Sequence, residues 1–140
     1  MNYAKISPKI MNPLYKCYDE IQKCELDQSL ILLVEMRTSQ INGCAYCCRL
    51  HAEMGRKLGI EEEKLDKLPG WFNSRIYNQK EVLALEWCEA LTIGLRDKDL
   101  NDLRERLEEL FSEKELVDLT SAISVMNALN RMAISIGDHS

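Results

Sequence analysis

What most limits the fold of this chain is where its helix breakers fall. Its three prolines and six glycines lie mostly between segments whose apolar residues recur three and four positions apart, the period of an amphipathic helix. Asn12-Pro13 reads as a cap followed by proline at the first helical position. Leu14, Cys17, Tyr18, Ile21 and Cys24 then follow at helical spacing. Asp27 is placed to cap a second helix carrying Leu30, Leu33, Val34 and Glu35. The run Leu30–Val34 would also suit a buried strand, but nothing nearby reads as its partner, so helix is preferred. Asn42-Gly43 breaks the pattern. A third helix puts Cys47, Leu50, His51, Met54 and Leu58 on one face, with Gly59 at C′.

Residues 61–68 read as a short acidic helix ended by Pro69-Gly70, with a loop running to about Gln79. A long helix is predicted over 80–94, with Val82, Leu83, Leu85, Trp87, Cys88 and Leu91 apolar. Another over 99–110 carries the stripe Leu100, Leu103, Leu107 and Leu110. Ser112-Glu113-Lys114-Glu115 has the signature of a capping box. It opens a last helix through Leu116, Leu119, Ile123, Met126, Leu129 and Ala133 to Gly137. Ala122, Val125, Ala128 and Ile134 lie off that stripe. A helix apolar nearly all round is buried, either at the centre of the monomer or against another subunit. Six or seven helices with no credible strand, and no repeat or linker, predict an all-α, single-domain helical bundle over 1–140.

Net charge is −5, with the basic residues scattered among acidic ones, which argues against a nucleic-acid partner. No stretch approaches the roughly 20 apolar residues of a membrane span. Met1-Asn2-Tyr3-Ala4-Lys5 is not followed by an apolar core, so no secretory leader and no membrane partner are expected, and a cytoplasmic location is. In a reducing compartment the six cysteines are not a disulfide framework, and most should be small buried hydrophobes. Cys44, Cys47 and Cys48 nevertheless fall within five residues.

Cys44 and Cys47 are spaced so that, at a helix start, both sulfurs lie on one side within disulfide reach. Cys44 falls at the N-cap or first turn, where unpaired amides and the helix dipole favour a thiolate, the reactive form of cysteine. His51 lies one turn beyond Cys47 on the same face, where an imidazole can take a proton from that thiol and later return one. Glu35, on the preceding helix, is a candidate to orient His51 or exchange protons with it. Cys48 points about 100° away and reads as core or interface.

Two other chemistries compete. Cys44, Cys47, Cys48 and His51 are nominally four zinc ligands, but structural zinc sites draw ligands from two segments. His139, the other histidine, sits at the tail. No metal and no cofactor is therefore expected. A thioredoxin reading needs the CxxC after a strand, and no strand is predicted.

The stretch Ser39-Gln40-Ile41-Asn42-Gly43-Cys44-Ala45-Tyr46-Cys47, followed by His51, closely resembles the core motif of the alkylhydroperoxidase D-like family, part of the carboxymuconolactone decarboxylase superfamily. The likeness continues in Glu86-Trp87-Cys88-Glu89-Ala90-Leu91-Thr92. It extends to Phe111–Thr120 and Asn127-Ala128-Leu129-Asn130-Arg131. The resemblance implies an all-α fold assembling as a homotrimer or homohexamer, and thiol peroxidase or disulfide reductase activity. It implies that Cys47 attacks peroxide and becomes a sulfenic acid, and that Cys44 donates a proton and closes the disulfide. His51 would be the base of a proton relay, with Glu35 its acidic end. Two positions depart from the founding members: Tyr46 replaces a histidine between the cysteines, and Leu32 stands where their relay glutamate lies, one turn before Glu35. The decarboxylase branch lacks the cysteine pair, so lactone decarboxylation is not implied.

The reading reached from the sequence is a CxxC thiol-dependent peroxidase. Its substrate would be a peroxide, and an external dithiol or lipoyl-type reductant would regenerate it. The alternatives are a non-peroxidase disulfide reductase or redox-sensing oligomer, and a purely structural helical oligomer.

Overall fold

In the computed structural model, which describes residues 1–137, the chain forms eight α-helices: α1 (Tyr3–Ile6), α2 (Pro8–Ile21), α3 (Gln28–Asn42), α4 (Ala45–Lys57), α5 (Glu62–Lys67), α6 (Gln79–Ile93), α7 (Leu100–Glu108) and α8 (Glu113–Ile136). No strand occurs among the described residues, so the all-α architecture holds. His139 lies outside the described residues. The helix beyond the six or seven predicted is α1, a single turn too short to leave a periodic signal.

The apolar run that also suited a strand is the middle of α3. Leu30 through Met36 are all buried, Glu35 included. A helix buried on every side belongs at the centre, and α3 packs against α4, α6 and α8. It joins two parts of the core. One unites Ile31 and Val34 with Leu83, Trp87, Cys88, Leu107, Leu119 and Ile123. The other unites Leu32, Leu33 and Met36 with Leu65, Leu68, Trp71 and Leu85. The two readings of α8 divide by residue: Ala122 and Val125 are buried within the monomer, whereas Ile134 is exposed.

Local chemistry sets most helix ends. Asp27 Oδ1 accepts from the Ser29 amide at 2.9 Å. The Ser112–Glu115 capping box forms as predicted, with Ser112 Oγ accepting from the Glu115 amide and Glu115 Oε1 from the Ser112 amide. A second box, Asn78 with Glu81, opens α6. Two expectations need correction. Helix α2 opens at Pro8, after Ser7, and Pro13 lies inside it. Pro13 is solvent-exposed, so the carbonyl left without its amide partner is on the wet side. The segment 68–73, read as Pro-Gly-terminated loop, is a 3-10 helix over Leu68–Asn73 that buries Leu68 and Trp71. The Trp71 indole N–H donates to Glu89 Oε1 at 2.8 Å.

Between α3 and α4 the chain reverses at Gly43, whose φ is +72°. A Cβ there would meet nothing within 4 Å, so any cost of a side chain comes from the left-handed backbone alone. Gly43→Ala should lower unfolding free energy by about 1–2 kcal/mol, and Gly43→Asn by less, because asparagine tolerates that region. Denaturant unfolding of the two variants checks the order; equal stability of Ala and wild type would refute it.

Candidate active site

Helix α4 begins directly after the Gly43 turn, with Cys44 as its N-cap residue in extended backbone. The Cys44 amide donates to Ser39 O at 3.0 Å. The first helical hydrogen bond is from the Cys48 amide to Cys44 O at 2.9 Å. The sulfurs of Cys44 and Cys47 therefore sit at the opening turn, where helical amides have no carbonyl to bond within the helix and negative charge is favoured. The two residues are disulfide-bonded, with Cα atoms 5.3 Å apart.

His51 and Glu35 are brought together. The ring Nδ1 lies 2.7 Å from Cys47 O, and Nε2 lies 3.0 Å from Glu35 Oε2. Both side chains are almost wholly buried, His51 at 3% exposure and Glu35 at 1%. A carbonyl oxygen only accepts, so Nδ1 carries a proton. The Nε2–Oε2 contact then holds one further proton, giving either imidazolium with carboxylate or imidazole with carboxylic acid. The other carboxylate oxygen, Oε1, accepts from Gln22 Nε2 at 2.7 Å. Each ring nitrogen is thus engaged with oxygen, and the ring is tethered to Cys47 through that residue's own carbonyl.

The turn carrying Cys44 is held from behind by an amide cluster. Asn130, fully buried on α8, donates to Ser39 Oγ at 3.1 Å. Asn42 Nδ2 donates to Asn127 Oδ1 and Asn130 Oδ1 at 2.9 and 3.0 Å. Ser39 Oγ in turn donates to Glu35 O at 3.0 Å. Gln22, Asn42, Ser39, Asn127 and Asn130 were not identified as site residues from sequence. The side-chain bonds that tie them to other helices span 13 to 91 positions, beyond any local spacing rule.

A cavity of about 410 Å³ opens against this turn, lined by Cys47 and His51 but not by Cys44. Leu50, Met126, Leu129 and Ala133 give it an apolar wall, and Tyr3, Tyr15, Tyr18 and Tyr46 an aromatic one. Cys47 is 8% exposed and Cys44 only 2%. Of the two sulfurs, Cys47 is the one a ligand in the cavity meets. Burial, with the Glu35 carboxylate a smaller influence, pushes the Tyr18 phenol well above its usual range. Burial likewise raises that of Tyr3, helped by Tyr15. Tyr18 and Tyr3 therefore face the cavity as neutral phenols.

The remaining cysteines differ from one another. Cys88 is buried, within 3.1 Å of Thr38 Oγ1, and burial pushes its thiol up to about 11, which leaves it inert at neutral pH. Cys48 is half-buried and its thiol is also raised by burial. Cys17, expected among small buried hydrophobes, is exposed. It occupies a position of the apolar repeat in α2 that turns outward.

No helix among the described residues is long and apolar enough to cross a membrane. A model of the carboxymuconolactone decarboxylase family matches residues 10–90. The crystal structure of a protein of unknown function from Agrobacterium tumefaciens, described in connection with antioxidant defence and alkylhydroperoxidase D, has a TM-score of 0.92 to this chain. It is 32% identical over 99% of this chain and 95% of that one. The uncharacterized protein YdfG of Bacillus subtilis is 29% identical over 138 residues, covering 99% of this chain and 94% of that protein. A debrominase crystallised with 2,3,4-tribromopyrrole shares the fold, with a TM-score of 0.84 at 18% identity over 97% of this chain and 72% of that one. With its cysteine pair at the opening of α4 and these likenesses along nearly its whole length, the chain belongs to the carboxymuconolactone decarboxylase family, in its alkylhydroperoxidase D-like branch.

Proposed function

We propose that this protein is a dithiol peroxidase in which Cys47 attacks and Cys44 resolves. The observation that carries the reading is the asymmetry of the pair: only Cys47 faces the apolar cavity, with His51 beside it in the wall. In the reduced protein the Cys47 thiolate, favoured by the start of α4, attacks the terminal oxygen of a hydroperoxide. An S–O bond forms and the O–O bond breaks. The departing alkoxide takes a proton from solvent and leaves as the alcohol, while the Glu35–His51 pair, bonded to Cys47 O, favours the thiolate of that residue. Cys47 is now a sulfenic acid. The Cys44 sulfur attacks it, the S–S bond forms, and hydroxide leaves with the Cys44 proton as water. An external dithiol, of lipoyl type or otherwise, reduces the disulfide by exchange and is itself oxidised. We place the protein in a reducing, cytoplasmic compartment, where such a dithiol is available. Exposed Ile134 and Val117 on α8 are consistent with a homo-oligomer.

The experiment is peroxide consumption by purified protein with a dithiol reductant. Turnover well above that of reductant alone is expected. A rate equal to the protein-free control, with the disulfide nevertheless exchanging with the dithiol, would replace this reading with disulfide exchange or redox sensing.

A further inference from the structure

We propose that Gln22 is a positioning residue that keeps the shared proton of the Glu35–His51 pair on the oxygen facing the ring. The inference rests on the reading that this pair serves Cys47. Gln22 is the C-cap of α2, with its own amide bonded to Tyr18 O at 3.1 Å. Its side-chain Nε2 donates to Glu35 Oε1 at 2.7 Å. An amide NH₂ offers only protons, so Oε1 must present a lone pair. When the carboxyl is protonated, the proton therefore sits on Oε2, 3.0 Å from His51 Nε2. Oε1 stays an acceptor for Gln22 in both states of the pair, and the proton crosses between Nε2 and Oε2 without breaking any other bond.

The donation has a second effect. A hydrogen bond to a carboxylate favours its charged form, so Gln22 biases the shared proton towards the ring. A positive imidazole tethered to Cys47 through the carbonyl at 2.7 Å favours the thiolate of that residue. The groups around Glu35 leave this role to Gln22. From α4 the ionisable neighbour is His51 itself, and from α2 it is Tyr18, whose phenol stays neutral, with exposed Asp19 beyond it. On the other sides of α3, Arg37 is paired with Glu89 of α6 at 2.9 Å, and Cys88 with Thr38. Helix α8 presents the neutral amides of Asn127 and Asn130, and its charged Arg131 bonds Asn127 Oδ1 at 2.8 Å rather than Glu35. Among these, Gln22 alone touches Oε1.

The test is the rate of Cys47 alkylation against pH in the fully reduced chain, followed by peptide mapping so that Cys17 and Cys48 are read separately. Gln22→Met keeps the length of the side chain and removes the donor. Its alkylation midpoint is expected to move up by about one pH unit, so that the rate below the midpoint falls about tenfold. In a Glu35→Gln background the same substitution should add no further shift, because the effect passes through the carboxylate. Gln22→Leu serves equally if the Met variant does not fold. A curve for either folded variant that overlays wild type, or an undiminished shift in the Glu35→Gln background, would overturn the proposal. No peroxide enters this assay. Absence of peroxide turnover in the wild type would thus sink the peroxidase reading and leave this one standing, and overlaid alkylation curves would do the reverse.

Discussion

Replacement of Cys47 by serine is expected to reduce peroxide consumption to that of the reductant alone, a loss of at least about 10³-fold in turnover. The substitution removes one polarisable sulfur and changes little else in volume. A serine hydroxyl is not ionised by a helix N-terminus, and nothing in the site offers it a free base, since both ring nitrogens of His51 are already engaged with Cys47 O and Glu35. Cys44 does not stand in, because it is 2% exposed and does not line the cavity. Cys44→Ser should behave differently. Its Cys47 still meets peroxide and is still oxidised once, but the sulfenic acid has no neighbour to close on, so catalysis stops after about one equivalent of peroxide per chain. Cys17→Ser, at an exposed position of α2 away from the cavity, should leave turnover unchanged. Steady-state and single-turnover peroxide consumption separate the three. Equal loss in Cys44→Ser and Cys47→Ser from the first equivalent onward would contradict the assignment of roles.

His51→Ala is expected to cost about 3–5 kcal/mol of unfolding free energy, because it strands a carboxylate that the fold has taken out of water. Glu35 keeps only the Gln22 donor, and the absent ring adds a cavity beside Leu50 and Met126. For a chain of this size the loss corresponds to roughly 10–20 °C in Tm. The paired substitution Glu35→Leu with His51→Leu should recover most of it, since an apolar pair of similar volume avoids burying charge. That double variant, folded but slow in peroxide turnover, would show that the pair serves the chemistry rather than the fold. Thermal unfolding decides the point: His51→Ala and the double variant with equal Tm would mean that the contact contributes nothing as a pair.

The parts of this architecture that are written locally could be read from the chain. Cys44, Cys47 and His51 share one helix, so spacing alone gives their common face, and Gly43 marks the turn that begins it. The Ser112–Glu115 box and the Asp27 cap are equally local and form as read. Glu35 was legible only as a residue on the preceding helix; the packing of α3 against α4 is what brings it within 3.0 Å of the ring. Gln22 and Asn130 carry no local signal, because each acts on a partner in another helix. The misread places share a cause. Pro13 looked like a helix start because a first-turn proline and an exposed interior proline are both tolerated. Cys17 looked apolar because the periodic pattern counts cysteine with the hydrophobes, whatever face it occupies. Pro69-Gly70 looked like loop, yet Leu68 and Trp71 anchor those residues to the core as a tight turn.

The most direct measurement is to react the reduced Cys44→Ser variant with one equivalent of an organic hydroperoxide in the presence of a sulfenic-acid-selective probe, and to locate the adduct by peptide mass spectrometry. Labelling at Cys47, absent when Cys47 is also serine, is the expected result. An adduct mainly at exposed Cys17, or none at any cysteine while peroxide is still consumed by wild type, would contradict the claim that the sulfur facing the cavity is the one that attacks.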